Sequence, residues 1–360
     1  MKILDRYMVT ALGGPFLFGL AAFTLLFVAG ELLNIARLVS EEHASLVAAA
    51  KYFVYTLPGT LVLTFPMSAL LAVLLAMSRL SGDSEITAMR AGGVSLYRIA
   101  APLVAVGAAA SLVGLGFQEL IVPTASAKAA DILRSEIQSG GTNILSNQMV
   151  NTVLPNGDRQ LTMAQGFDPH SDELQNTTIE VFRGATPMSL LFAPRGAYHG
   201  DTWKFYDATE FVLTPCCERI DNPELAIDIG ADPTQLVELQ RAPEDMSRSE
   251  IRRLLHSGVK TTDAGRYARL LVTYHSKLAR PWATLVFTLL AIPLGIRPQR
   301  SSSGAGFGIS IAIVFAFYVA TTMCLAIGQS FPATSLVMAW LPNVVFSAAG
   351  VWMLRQAAQV

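Results

Sequence analysis

The sequence predicts a membrane α-helical bundle of six transmembrane helices with an inserted extracytoplasmic, all-β, jelly-roll-like domain. Three observations carry that prediction. Of 360 residues, 52% are hydrophobic and only 15% charged, whereas an ordinary soluble domain is about a quarter charged. Six apolar segments, at about 9–38, 52–79, 98–122, 268–296, 305–329 and 334–354, have the length and composition of bilayer-crossing helices. Between the third and the fourth, residues 126–262 carry 12 Lys and Arg against 19 Asp and Glu, while the rest of the chain carries 14 against 8. An acidic insert therefore interrupts a basic membrane part, dividing the chain at about 1–125, 126–262 and 263–360.

The first apolar run follows Arg6, and from Val9 to Gly30 it exceeds the apolar stretch of a signal peptide, which predicts an uncleaved span. Residues 52–78 contain no charged side chain at all, the plainest of the six spans. Next comes RLSGDSEITAMRAGG, residues 79–93. Asp83 or Ser84 suits a helix N-cap, Glu85 complements the first-turn dipole, and Gly92-Gly93 gives a stop before Ser95 opens the next helix. A two-turn helix at about 81–93 would not hold in water alone, because nucleation is costly at that length. The membrane domain or a docked partner must hold it. Ile86 and Met89 offer apolar contact and Glu85 and Arg90 polar bonds; spacing alone equally allows a plain connector with solvated charges.

The insert reads as short strands such as TTIEVF, MSLLFA and TWKFYD, separated by turn signals such as PNGD, RGATP and HGD. That rhythm predicts a sandwich or jelly roll. Ser247 and Glu250 in SRSEIRRLL match a capping box. The fourth span starts near Tyr267 and carries His275, Lys277 and Arg280 near one end. These cations either snorkel as interfacial anchors or meet an anionic lipid head group. Gly304 and Gly308, four apart, permit close helix approach at a subunit contact or gate, or packing within the subunit. Three cysteines cannot form a disulfide framework, and adjacent Cys216 and Cys217 lie closer than a disulfide usually spans. Cys324 reads as packing.

Basic residues in short connections set the orientation. With the N-terminus inside, Lys2, Arg6, Arg79, Arg90, Arg98, Arg297, Arg300 and Arg355 collect in the cytoplasm. Both termini and 79–93 are then cytoplasmic, and the insert lies outside. No G-x-x-x-x-G-K-[ST] motif occurs, so the chain has no phosphate-cradling loop of its own. It must borrow an ATPase or use a gradient. A secondary transporter would show acidic or His groups deep in its spans; Glu31 and Glu119, the acidic residues in the apolar runs, lie toward the outer ends. A membrane-anchored sensor or assembly factor gives no reason for the patterned 79–93 segment. Nothing in the insert assembles a nucleophile with a base, and His170 and His199 read as loop residues.

The opening ILDRYMVTALGGPFLFGLAAFTLL, the segment MSRLSGDSEITAMRAGGVSLYRIAAPL, and the closing LARPWATLVFTLLAIPLGIRPQR and WLPNVVF resemble the LptF/LptG (YjgP/YjgQ) family of lipopolysaccharide-export ABC transporter permeases. The resemblance spans the whole chain, and its second segment is the most specific. It implies an inner-membrane, non-catalytic subunit whose residues 79–93 form a coupling helix seated in a cytoplasmic ABC ATPase dimer. It carries the ATPase contact to Asp83, Glu85 and Arg90. It implies no cofactor in this chain, ATP being bound by the partner ATPase, and no nucleic acid. The further implied partners are a second permease subunit, paralogue or self, lipopolysaccharide or a related lipid, and periplasmic jelly-roll bridge proteins. Arg37, near the outer end of the first span, approximately matches basic residues that the family sets against lipid phosphates.

Overall fold

The computed structural model describes residues 3–41, 44–133, 136, 145–168, 171–200, 202–214, 218–233, 236, 242–256, 264–296 and 303–359. The expectations for His170 and for Cys216 and Cys217 fall outside these residues, as do those for Lys2, Arg297 and Arg300. Among the described residues, six helices are long and apolar enough to cross a membrane. The first is α1 (Ile3–Glu41), the second α2 (Leu46–Gly82). After the short α3 (Glu85–Ala91), the third span runs through α4 (Leu96–Gly116), a π-helical turn at Phe117–Ile121 and α5 (Val122–Ile132). Beyond the insert come a short α6 (Arg248–His256), then α7 (Ala264–Ile296), α8 (Ser303–Ser330) and α9 (Ser335–Gln359). Each span is longer than its apolar stretch in the sequence, because the helices continue past the oily part into polar ends.

Within lipid, apolar surface alone does not drive helices together, and close packing with interhelical bonds must do it. The two central helices show this. In the most apolar stretch of α2 72% of residues are buried, and in that of α7 67%, against 11% for α1, 17% for α8 and 22% for α9. Around them Leu70, Leu71, Met77, Ile99 and Phe287 form a fully enclosed core. Gly295 lets α7 touch α2: a Cβ there would sit 2.5 Å from the Met77 Cβ and 3.2 Å from the Leu74 carbonyl oxygen. Asn343 of α9 donates its amide to the Ala279 carbonyl of α7 at 2.7 Å, and Ser111 of α4 accepts from the Leu285 amide at 3.1 Å. α7 is thus the hub on which α2, α4 and α9 are fastened.

The insert is one six-stranded antiparallel sheet in the order β1-β2-β3-β4-β5-β6: Leu145–Val153, Arg159–Asp168, Glu173–Arg183, Thr186–His199, Thr202–Val212 and Glu218–Ile227. The all-β prediction holds. The finer layout is a meander of sequential hairpins, since connections as tight as Gly184-Ala185, between the paired Arg183 and Thr186, leave no slack for a crossover among the described strands. One face packs Phe167, Leu174, Ile179, Trp203 and Phe205. The chain leaving β6 crosses back over it: the Ile229 carbonyl accepts from Thr152, the Asp228 carbonyl from Gln160, and the Ala231 carbonyl from the Trp203 indole at 2.8 Å.

At the β1–β2 turn, Arg183 donates to both carboxylate oxygens of Asp158, at 3.1 and 3.0 Å, and Asn156 donates a further bond. The Arg183 hydrogen bonds hold the Asp158 pKa below the ordinary carboxylate value. A depressed pKa means that the unfolded chain takes up the proton first, so this contribution is complete above about pH 4 and is lost as pH falls through the folded value. On acidification below about pH 4, amide-exchange protection in β1–β3 is expected to fall more steeply in the native protein than in Asp158→Asn. Parallel curves would show that the pair does not matter there.

Candidate functional site

Were all six candidate spans to cross, the described ends Ile3 and Gln359, together with the α2–α4 connection, would lie on one side of a membrane and the sheet on the other. On the first side, α3 is a seven-residue helix bracketed by left-handed residues, Ser84 at φ 62° and Gly93 at φ 82°. A left-handed serine is uncommon; here it reverses the chain between α2 and α3. Its side chain makes no capping bond, and the Asp83 backbone N–H instead closes the end of α2 on the Arg79 carbonyl. The expected N-cap role of Asp83 or Ser84 is therefore corrected, whereas Ser95 caps α4 as expected, accepting from the Arg98 amide at 3.3 Å.

Three polar contacts fix this turn to the bundle. Tyr7 of α1 donates to Glu85 at 2.7 Å, Asp5 of α1 pairs with Arg98, and the Ser81 hydroxyl donates to the Ile296 carbonyl at the end of α7 at 2.8 Å. Ile86 is 3% exposed and Met89 packs against the membrane core. The apolar side chains expected on a docking face are thus anchors that point inward, because a two-turn helix lying on a bundle buries its only apolar stripe. Outward lie Thr87, Ala88, Ala91 and Gly92, a low surface bordered by exposed Asp83, half-exposed Glu85 and half-exposed Arg90. Asp83 also sits 3.7 Å from Arg79.

The other candidate residues do not converge. Arg37 is exposed on α1. Lys277 is fully buried and donates its ammonium to the Glu244 carbonyl at 2.7 Å, so it neither snorkels nor faces lipid; the strap from the sheet to α6 captures it. Arg280, one turn along α7, borders a cavity of about 470 Å³ inside the bundle, with Gln118, Tyr318 and Asn343. Gly308 is exposed with nothing within 4 Å of a Cβ built there, so it serves no packing within the subunit. Gly304 lies in α8, and its surroundings fall outside the described residues.

The sequence did not indicate two features. The π turn sets Glu119 4.0 Å from Arg248, whose guanidinium stacks 4.5 Å above the Tyr274 ring; only Glu119 being acidic in an apolar run hinted at it. Nor did it indicate the Tyr7–Glu85 bond, which joins residues 78 apart.

The family model described as lipopolysaccharide export system permease LptF/LptG matches residues 6–356. Lipopolysaccharide export system permease protein LptG of Escherichia coli (strain K12) is 23% identical over 367 residues, an alignment covering 98% of this chain and 98% of that protein. The protein of the same description from Escherichia coli O6:H1 (strain CFT073) gives the same figures. Six spans, an inserted sheet and a near-complete family match coincide, and the chain belongs to the LptF/LptG family of lipopolysaccharide export system permeases.

Proposed function

We propose that this chain is the non-catalytic permease subunit of an ATP-driven exporter that extracts lipopolysaccharide, or a related glycolipid, from the inner membrane and passes it to periplasmic jelly-roll bridge proteins. One observation carries the reading: a short helix, bonded to Tyr7 and set between an α2 end tied to α7 and an α4 start tied to Asp5, presents an outward surface of small side chains bordered by Asp83, Glu85 and Arg90. Small residues let a partner approach the backbone closely, and the bordering charges supply directional bonds. That combination suits a groove on a separate cytoplasmic ABC ATPase dimer, which binds the ATP.

A second permease copy, paralogue or self, completes the enclosure, with the exposed Gly308 face of α8 as one contact. Arg37 meets a lipid phosphate on the side of the sheet; Lys277, being captured, does not. Basic Arg6, Arg79, Arg90, Arg98 and Arg355 mark the side of the termini as cytoplasmic.

Cysteines placed singly at exposed Ser84 and Ser171, in a background lacking the native three, test the orientation. An impermeant maleimide is expected to label position 171 in sealed cells and position 84 only after permeabilisation; the reverse pattern refutes it. Purification from native membranes with mass spectrometry is expected to recover an ATPase, a second permease and lipopolysaccharide. A chain that purifies without an ATPase would overturn the proposal.

A further inference from the structure

The cavity lies between α2, α7, α8 and α9, and Leu63 and Thr322 of its lining are exposed on the spans. Its lining runs from the strap at Glu244 and Asp245 to Pro66 and Phe317. Glu244 and Asp245 of the strap lie at its rim, both exposed; Arg280 lies deeper, with Thr60 and Thr322. Buried Ala283, Pro66 and Phe317, with exposed Leu63, line its other end. From Ser276 to Ala283, α7 descends seven residues, about 10 Å. The order from the strap onward is therefore carboxylates, then a guanidinium with hydroxyls, then hydrocarbon.

Two polar side chains face this cavity. Gln118 is 7% exposed and is turned inward from the π-helical segment. Arg280, half-buried beside Glu244 and Tyr318, borders the cavity with it. Polar groups that face a cavity are normally met by a ligand or by water. A volume of about 470 Å³ falls in the range of small-molecule sites, about 300–1,000 Å³, which suits one head group with its glycerol but not a lipid of many acyl chains and sugars.

From this juxtaposition we infer that the cavity binds one zwitterionic phospholipid with an aminoalkyl phosphate head. Its ammonium faces Glu244 and Asp245, its phosphate faces Arg280 and Gln118, and its first methylenes reach Phe317. The sequence of groups along such a lipid matches the sequence along the wall. A head group bearing only negative charge meets the rim carboxylates first and is disfavoured. The site thus holds a bilayer lipid that differs in charge from a polyanionic cargo, and its occupancy ties the strap, and through it the sheet, to α2, α7 and α8.

Native mass spectrometry of the full-length protein, supplied separately with phosphatidylethanolamine, phosphatidylglycerol and lipid A, tests the inference without reference to transport. Phosphatidylethanolamine is expected to be retained about tenfold better than phosphatidylglycerol, the scale of one charge-assisted contact, and lipid A is not expected to displace it. Glu244→Gln with Asp245→Asn should bring the ratio close to one, and Arg280→Gln should weaken both phospholipids. Equal retention by the native protein, a preference that survives the double rim change, or displacement by lipid A would each overturn the assignment. Should Arg280→Gln fail to fold, the rim variant decides alone, since both of its positions are exposed.

Discussion

Glu85→Ala is expected to abolish lipid export and to weaken association with the ATPase ten- to a hundredfold. A charge-assisted hydrogen bond across an interface is worth about 1.5–3 kcal/mol, and truncating one partner leaves the other desolvated and unpaired. The structure adds a complication: Glu85 already accepts from Tyr7 at 2.7 Å, so its loss also loosens α3 from α1. Tyr7→Phe separates the two effects, because it removes the internal bond and keeps the carboxylate for a partner. Tyr7→Phe is expected to retain the ATPase within about threefold, much less than the cost of a lost charged contact, yet to export more slowly per ATP hydrolysed. Both readouts come from one reconstituted preparation. Unchanged co-purification and full export by Glu85→Ala would remove the coupling assignment.

Lys277→Ala is expected to destabilise the membrane domain by about 2–5 kcal/mol, the range for emptying a large side-chain site in a packed core, and to lower the yield of folded protein. The side chain is fully buried and its ammonium satisfies the Glu244 carbonyl, which the truncation would leave without that donor. Lys277→Met keeps the stem and gives up only the hydrogen bond, so it should fall between the native protein and Lys277→Ala in thermal unfolding. Lipid crosslinking to the folded Lys277→Met fraction should match the native level. A specific loss of crosslinking at normal stability would instead restore a substrate contact to this residue.

What the sequence made legible was local or compositional. Spans needed only their runs of apolar residues, and the insert needed only its acidity and turn signals. The capping box is the clearest local success: Ser247 accepts from the Glu250 amide and its own amide donates to the Glu250 carboxylate at 2.6 Å. Misreadings came where a residue's role depends on a distant segment. Ile86 and Met89 were expected on a docking face, but a two-turn helix does not specify which side meets the bundle. Lys277 is captured by a carbonyl 33 residues away, invisible to any reading of its own span. The cavity draws on α2, the π turn, α7, α8 and α9 together, so no single stretch could announce it.

The one-sided packing of α1 has a mechanical consequence. Its 39 residues make a rod of about 58 Å, and at its foot Tyr7 and Asp5 are bonded to the very turn that an ATPase would push. One face of α1 is fastened to α2, with Met8, Leu12 and Phe23 buried and Gly19 set where a Cβ would lie 3.2 Å from the Ser68 Cα, so α1 would tilt together with α2. A rotation of about 5° at the foot would sweep the far end, near Arg37, through about 5 Å, by simple geometry of a helix of that rise. Small displacements beneath the membrane would thereby be amplified into a lateral opening above it, with α1 acting as a lever arm rather than as a wall.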